Sequence, residues 1–423
     1  MDFIEELTWR GMLQEMVPGT KEWLNDTPRK GYIGFDPTAD SLHIGSLSQI
    51  ITLMHFQRHG HIPVVLIGGA TGMIGDPTGK KQERPLLTED EIRHNAECIR
   101  KQLEKFIDFD QGKAMMVNNY DWFKDMRLID FIRDIGKHIT INYMISKESV
   151  KTRMEYGLSF TEFTYQLIQG FDFLYLSRHY DCYMQMGGSD QWGNITTGLE
   201  LIRRLDQKDA YALVTHLITK SDGNKFGKTE QGNVWLDRTK TSPYKFYQFW
   251  INLSDEDAAK MIKIFTLLPQ EEISHLIDEH FQSPEKRILQ KKLAEEITCL
   301  VHSKEDFLEA RQASEILFGK EPIEALQKMN DQLIEEIFES IPVFEVPLNE
   351  LENVIPAPDF LAVYTKIFSS KGEARRMLQS GAVSVNKQKI TPETKFDTSM
   401  LLKNKYILIQ KGKKNYFLVK VDM

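Results

Sequence analysis

The sequence predicts an α/β protein: a doubly wound parallel sheet with a helical insertion, then an all-α segment and a small α+β module. Three observations predict it. In the first half, continuous apolar runs such as residues 61–69 alternate with helical patterns, as strands buried on both faces of a parallel sheet do. Beyond Asp237 the runs give way to amphipathic stretches, opened by Ser242-Pro243, Ser254 with Asp257, and Ser283-Pro284. Residues 356–423 hold 13 Lys and Arg against 5 Asp and Glu, a net of +8, in a chain whose total is −8. A basic tail on an acidic body implies a local polyanion site and argues against coating nucleic acid by bulk charge.

At 423 residues, two or three domains are expected. The first 30 residues read as a helix plus connector, with Phe3, Ile4 and Leu7 on one face. Residues 32–36 read as a buried strand that Pro37 stops. Leu42, Ile44, Leu47, Ile50, Ile51 and Met54 then recur at helical spacing, so a helix begins near His43. Its first turn is expected to aim unpaired N–H groups and the positive end of the helix dipole above the strand end, with Gly45 admitting a ligand to the backbone; that suits a polyphosphate. With the strand at 61–69 this makes a βαβ unit. Residues 68–80 form a glycine-rich loop, but a P-loop reading fails: Ile74 stands where a glycine is needed and Lys81 where Ser or Thr is needed. The loop still lies at the carboxyl edge of the sheet, where ligands of open α/β folds sit. Thr88 with Glu91 is a capping box opening a helix to about Phe109.

From residue 113 the pattern turns more helical, with Trp122, Phe131, Phe160, Phe163 and Phe171 spread through it, as in an insertion between two halves of the sheet. A strand at 183–187 feeds the polar turn Gly187-Gly-Ser-Asp-Gln-Trp-Gly-Asn194 and a helix, and a further strand spans 210–217. The loop 220–231, with two glycines and three lysines, has little to bury and is expected to be mobile. Residues 321–355 are acidic and proline-bearing, which suits a linker with a helix near 332–340, and the tail reads helix, helix, strand, turn, strand. Cys98, Cys182 and Cys299 fit no zinc spacing and read as buried reduced thiols, with no metal framework in view. The acidic N-terminus is unlike a signal peptide and no apolar run is long enough to span a bilayer, so a cytoplasmic protein without membrane contact is expected.

Phe35-Asp-Pro-Thr-Ala-Asp-Ser-Leu-His-Ile-Gly45, with Lys225-Phe-Gly-Lys228-Thr229 far downstream, resembles the paired signatures of class I aminoacyl-tRNA synthetases. Through nearly the whole chain the likeness is specifically to the bacterial tyrosyl-tRNA synthetase family. Residues 371–386 resemble an αL RNA-binding module shared with a small-subunit ribosomal protein. The resemblance implies a Rossmann-like catalytic domain at 1–236, with an insertion and dimer region at about 113–180 and the signature loop at 220–231. It further implies a helical anticodon-side domain at 237–320, a linker at 321–355 and an RNA-binding domain at 356–423. Phe131, Ile135 and Phe160 are either packed across a two-fold axis or simply core.

The implied chemistry is attack of the tyrosine carboxylate on the α-phosphate of ATP, then transfer to tRNA(Tyr), by a homodimer using ATP with Mg2+ and no tightly bound metal. Neither step strictly needs an acid, base or nucleophile from the protein; both need positioning and stabilisation of charge growing on phosphates. By resemblance Thr38 and His43 hold the terminal phosphates, and Lys80, Arg84, Lys225 and Lys228 wrap the pyrophosphate. Tyr32 and Asp172 match the pair that bonds the tyrosine hydroxyl. Asp76, Tyr165 and Gln169 match the set around its α-amino group, with Gln185 and Gln191 completing the tyrosine site. Tyr165, Gln169 and Asp172 share a helix face. Asp36, Gly45, Ser46, Gly187, Gly188, Asp190 and Lys228 are expected at ATP. Ser46 stands where the family usually has His, and its hydroxyl can donate to a phosphate or ribose oxygen but carries no charge; Ile33, often Cys in the family, can make no ribose contact. Lys371, Arg375, Arg376, Lys387 and Lys389 are expected to contact RNA phosphates. The alternatives are the sister tryptophan enzyme, against which Tyr32 with Asp172 argues, and a non-ligase RNA-binding paralogue, against which intact His43, Asp190, Lys225 and Lys228 argue.

Overall fold

The apolar runs build a six-stranded sheet of β1 (Leu13–Met16), β2 (Lys30–Phe35), β3 (Ile62–Ile67), β4 (Met115–Asn118), β5 (Met184–Gly188) and β6 (Tyr211–Thr215), in the order β1-β6-β5-β2-β3-β4. In this computed structural model the described residues are all except 79–81, 222, 224–225, 230–231, 319–335, 337–340, 413–414 and 423. β2 to β6 run parallel and β1 closes one edge antiparallel to β6. From central β2 the chain goes to β3 and β4 on one side and to β5 and β6 on the other. The strand order therefore reverses between β2 and β5, where Tyr32 and Gln185 pair, and the crevice at their carboxyl ends is the natural ligand site.

Two strands differ from the expectation. β1 lies in what reads as connector, and β4 in what reads as insertion, because each is four residues long and half-exposed, without the alternation or continuous run that marks a strand. The motif helix Ile44–Arg58 starts directly after His43 and buries Ile44, Leu47, Ile50, Ile51, Leu53 and Phe56. The helix Glu89–Leu103 carries both bonds of the Thr88/Glu91 capping box. It ends at Leu103 instead of Phe109, since Lys105 and Phe106 donate three residues back and tighten the chain into turns. The helix Phe160–Tyr180, boxed by Ser159 and Glu162, packs against Trp192–Asp206. Small residues set that contact: a Cβ on Gly198 would come within 2.8 Å of Phe173.

By Cα proximity the chain forms two compact units, Met1–Thr241 with Trp250–Val301, and Ser242–Phe249 with His302–Met423. In the first, the helices Asp255–Phe265, Gln270–Gln282 and Ile288–Val301 join the sheet body. Ser283-Pro284 opens only a 3-10 turn, because Arg287 takes the left-handed conformation (φ 53°) and the next helix starts at Ile288. Arg10, 2% exposed, ties these helices to the N-terminal helix Phe3–Trp9: its guanidinium donates to the carbonyls of Lys263, Thr266 and Leu268 at 2.6, 2.8 and 2.7 Å and to Glu6 at 2.7 Å. Arg10→Met should leave those carbonyls and Glu6 unpaired and destabilise this unit by about 3 kcal/mol, read as a lower denaturation midpoint.

In the second unit β9 (Val343–Pro347), β11 (Val383–Val385), β12 (Gln388–Lys389), β14 (Tyr406–Lys411) and β15 (Asn415–Asp422) form a sheet in the order β12-β11-β14-β15-β9. Residues 343–355 read as linker, yet β9 pairs in parallel with β15, and Val346, Leu351 and Ile355 are buried in the same core as Phe360 and Phe396. Prolines mark this segment because it is an edge, not because it is unpacked. The helix expected near 332–340 lies outside the described residues apart from Glu336. Cys182 is buried, but Cys98 and Cys299 are partly exposed, so the expectation of three buried thiols holds for one; none of the three forms a disulfide.

Candidate functional site

The carboxyl ends of β2 and β5 open into a cavity of about 500 Å³. It gathers Tyr32, Ile33, Asp36 and Thr38 from β2 and its turn, His43, Gly45 and Ser46 from the motif helix start, and Asp76 and Arg84 from the glycine-rich loop. Tyr165, Gln169 and Asp172 enter from one helix face, and Gln185, Gly187, Gly188, Asp190 and Gln191 from β5 and its turn. Lys80 and Lys225 lie outside the described residues, as does the side chain of Lys228. Phe226 and Gly227 of the signature loop line the cavity; Phe226 packs on Trp250 and Phe265, and Gly227 takes a φ of 82° beside Ile44.

At the closed end sit Tyr32, 0% exposed, and Asp172, 1% exposed. The Tyr32 hydroxyl is buried without a hydrogen-bond partner. Asp172 accepts from Trp122 Nε1 at 2.9 Å on one oxygen and from Asn119 Nδ2 at 3.0 Å on the other. Burial still outweighs those donors and pushes the Asp172 carboxyl up to about 8, and the Tyr32 phenol well above its usual range. Asn119 also donates to Thr71 Oγ1 at 3.0 Å, and Thr71 donates to Asp36 at 2.6 Å. Tyr165 donates to the other Asp36 oxygen at 2.7 Å. One polar chain thus runs from Trp122 through two carboxyl groups to Tyr165. Burial lifts Asp36 to about 6. A side chain on Gly68 would collide with Asp36 and Thr71, so that glycine keeps the chain intact.

Tyr165, which the resemblance places with Asp76 and Gln169 around the α-amino group, donates its hydroxyl to Asp36. Asp76 instead accepts from Gln191 Nε2 at 2.7 Å and from the Thr78 N–H at 2.9 Å, and its carbonyl accepts from Arg84 Nε at 3.3 Å. Gln169 Oε1 and Gln185 Oε1 are buried without partners. Acceptors without partners in the same cavity as the Asp76 carboxylate suit a bound ammonium.

At the end of the cavity lined by the motif helix, His43 is the N-cap residue, edge-on to Trp235 with ring centroids 6.0 Å apart. Gly45 makes room for the imidazole, since a Cβ there would stand 2.7 Å from His43 Cε1. The expectation of several open N–H groups is corrected. The Ile44 N–H donates to the Val234 carbonyl at 3.0 Å and the Ser46 N–H back to His43 at 2.8 Å, which among the described residues leaves the Gly45 N–H as the open donor of that turn. Val234, just past the signature loop, is thereby bonded to the first residue of the motif helix, against which Gly227 also lies.

Sequence reasoning missed the parts that Thr71, Asn119 and Trp122 play. Asn119 follows β4, itself unforeseen, and no spacing links it to Asp172. In the second unit Arg375 and Arg376 are exposed on the helix Lys371–Gln379, and Lys387 (φ 64°) follows Asn386 (φ 46°) in the turn before exposed Lys389. Lys371 pairs with Asp359, so a phosphate there would have to displace a carboxylate.

Residues 24–319 match the family model described as tRNA synthetases class I (W and Y), and residues 333–419 match the tyrosine-tRNA ligase SYY-like C-terminal domain. The chain is 57% identical to the tyrosine-tRNA ligase of Parabacteroides distasonis, over 99% of both chains. It is 55% identical to that of Porphyromonas gingivalis, over the full length of both. Among solved structures, a C-terminally truncated mitochondrial tyrosyl-tRNA synthetase of Aspergillus nidulans aligns with a TM-score of 0.67 at 30% identity, covering 75% of this chain and 94% of that one. A tryptophanyl-tRNA synthetase of Encephalitozoon cuniculi, with a TM-score of 0.51 at 14% identity over 73% of this chain and 87% of that one, shares the fold.

Proposed function

The chain belongs to the class I tRNA synthetases of the tryptophan and tyrosine type, and from that premise we propose which of its residues perform each step of the reaction. Its activity is that of a tyrosine-tRNA ligase, using tyrosine, ATP and tRNA. A carboxylate oxygen of tyrosine attacks the α-phosphorus of ATP, the bond to the β-phosphate oxygen breaks, and pyrophosphate leaves. A ribose hydroxyl of the 3'-terminal adenosine then attacks the tyrosyl carbonyl and AMP leaves.

Tyr32 and Asp172 take the phenol. The observation that carries this reading is the unpartnered, fully buried Tyr32 hydroxyl in the same cavity as Asp172, both of whose oxygens are held by donors. Such an end stays unsatisfied until a hydroxyl arrives. Asp76, Gln169 and Tyr165 face the ammonium, with Gln185 and Gln191 beside them, and Asp36 orients Tyr165. Thr38, His43, Ser46 and the Gly45 N–H meet the phosphates. Arg84, with Lys80, Lys225 and Lys228, neutralises the leaving pyrophosphate, and Mg2+ arrives with the ATP phosphates as part of the substrate. Gly187 and Gly188 let the nucleoside approach β5, and Asp190 reaches its ribose.

Residues 1–236 do the chemistry, the helices of 237–320 face the anticodon side, and 356–423 with β9 grips tRNA through Arg375, Arg376, Lys387 and Lys389. Among the described residues no helix is long and apolar enough to cross a membrane, and the protein acts in the cytoplasm. It works as a homodimer. Leu128, Ile129, Ile132, Ile141 and Phe160 are exposed at 70, 67, 53, 63 and 80% within the insertion, an apolar surface that suits a second copy. Ile135 is core and Phe131 packs on Phe123 and Phe171, so Phe160 is the member of the expected trio available for this contact. Phe160→Asp should convert a dimer near 98 kDa, twice the 49.1 kDa chain, into monomer in light scattering; an unchanged mass would reject the interface. The ligase reading is tested by charging tRNA(Tyr) transcript: labelled tyrosine should be esterified and labelled tryptophan should not.

A further inference from the structure

Trp235 has no part in the roles above, yet it touches the residue placed at the phosphates. Residues 234–236, just past the signature loop, run antiparallel to residues 42–44 at the start of the motif helix, with His43 and Trp235 facing one another. The bonds of this short ladder fall on either side of the pair: the Ile44 N–H donates to the Val234 carbonyl at 3.0 Å and the Leu236 N–H to the Leu42 carbonyl at 2.8 Å. His43 and Trp235 are therefore a non-hydrogen-bonded pair, the kind in which opposed side chains leave the same face and stand closest. Their rings meet at 64° with centroids 6.0 Å apart. The Trp235 N–H, turned out of the ladder, donates to Thr241 Oγ1 at 3.0 Å, and Lys240 Nζ, paired with Asp40 at 2.7 Å, stands 5.5 Å from the indole centroid. The half-buried indole is thus held through its backbone and by a cation as well as by the imidazole.

We propose that Trp235 is a positioning residue for the activation step: its indole fixes the His43 imidazole in the orientation that meets the phosphates. His43 makes no side-chain bond to the helix it caps, so capping does not direct its ring. Room for the ring comes from Gly45, where a Cβ would stand 2.7 Å from His43 Cε1, and the indole stands against the ring in that room. Paired aromatic rings favour a narrow set of angles, so the contact selects one orientation of the imidazole. A ring so confined gives up its freedom on folding and not during the reaction, which lowers the barrier without adding a substrate contact. An indole that served only the ladder would be replaceable, because the ladder's bonds run from backbone to backbone. The proposal rests on the reading that places His43 at the phosphates.

Trp235→Leu removes the ring and keeps an apolar side chain. Pre-steady-state formation of tyrosyl-adenylate should slow about three- to tenfold, with the affinities for tyrosine and ATP before reaction unchanged. Trp235→Phe, which keeps a smaller ring, should lose less. In a His43→Ala background neither substitution should slow the reaction further, because the group being positioned is gone; a fold disturbed around residue 235 would slow both backgrounds alike. The comparison runs with either variant, so a Trp235→Leu protein that fails to fold leaves the test to Trp235→Phe. Equal losses with and without His43, an unchanged rate in both Trp235 variants, or a loss carried wholly by substrate binding would overturn the proposal. His43→Ala alone tests the reading beneath it: no slowing there removes the reading and the proposal together, whereas slowing there beside unchanged Trp235 variants removes the proposal alone.

Discussion

Asp172→Asn should lower kcat/KM for tyrosine in pyrophosphate exchange by at least about a hundredfold, with the KM for ATP little changed. An amide presents one acceptor and one NH2 where the carboxyl presents two acceptors. Either the Trp122 N–H at 2.9 Å or the Asn119 amide at 3.0 Å must then face another donor in a buried place. The substrate phenol also loses a partner that both accepts and donates. The variant should be revealing in the free protein as well. Burial raises the Asp172 carboxyl to about 8, against roughly 4 in an unfolded chain. Below pH 4 it is protonated in both states, and its contribution to stability is fully present. As pH rises from 4 to 8 the unfolded chain releases a proton that the folded chain keeps, so this contribution is progressively lost, with a slope of at most about 1.4 kcal/mol per pH unit. Asp172→Asn should flatten that decline in denaturation midpoints measured between pH 5 and 8. A decline as steep as in the wild type would place the titrating group elsewhere.

His43→Ala is the second large effect, expected at the other end of the cavity. The imidazole stands at the start of the motif helix against Trp235, in space that Gly45 leaves open. Because the extra negative charge of the leaving pyrophosphate develops only as the bond from the α-phosphorus breaks, a donor aimed there acts mainly in the transition state. Pre-steady-state formation of tyrosyl-adenylate should slow by about a hundredfold while ATP affinity in the absence of reaction changes little. A loss carried wholly by ATP binding would make His43 a ground-state contact.

Much of this was legible in the sequence because the site is assembled from strand ends and helix starts, which turn chemistry marks. Pro37 and His43 bracket the strand-to-helix turn, Thr88 announces its helix, and the spacing of Tyr165, Gln169 and Asp172 sets one helix face toward the cavity. What stayed hidden depends on contacts between distant segments. Asn119 bridges Asp172 and Thr71 from the end of a half-exposed four-residue edge strand, too short to carry a periodic signal. Thr71 is a single hydroxyl whose importance comes only from what folding brings beside it. The open first turn expected of the motif helix was misjudged for the same reason: Val234, far along the chain, takes the Ile44 N–H. β9 was read as linker because its pairing partner, β15, is the last strand of the chain.

The central claim is that the closed end of the cavity is built for a phenol. A pocket whose buried groups need a hydroxyl rejects the ring that lacks one, a rule for which tyrosyl-tRNA synthetases are themselves the standard illustration. The most direct measurement is kcat/KM for tyrosine against phenylalanine in pyrophosphate exchange by the intact protein. With the Tyr32 hydroxyl left unpaired by phenylalanine, and Asp172 deprived of the phenol although Trp122 and Asn119 still donate to it, the ratio should exceed about a hundred. A ratio within tenfold of one would mean that these two groups do not meet the substrate, and would contradict the account.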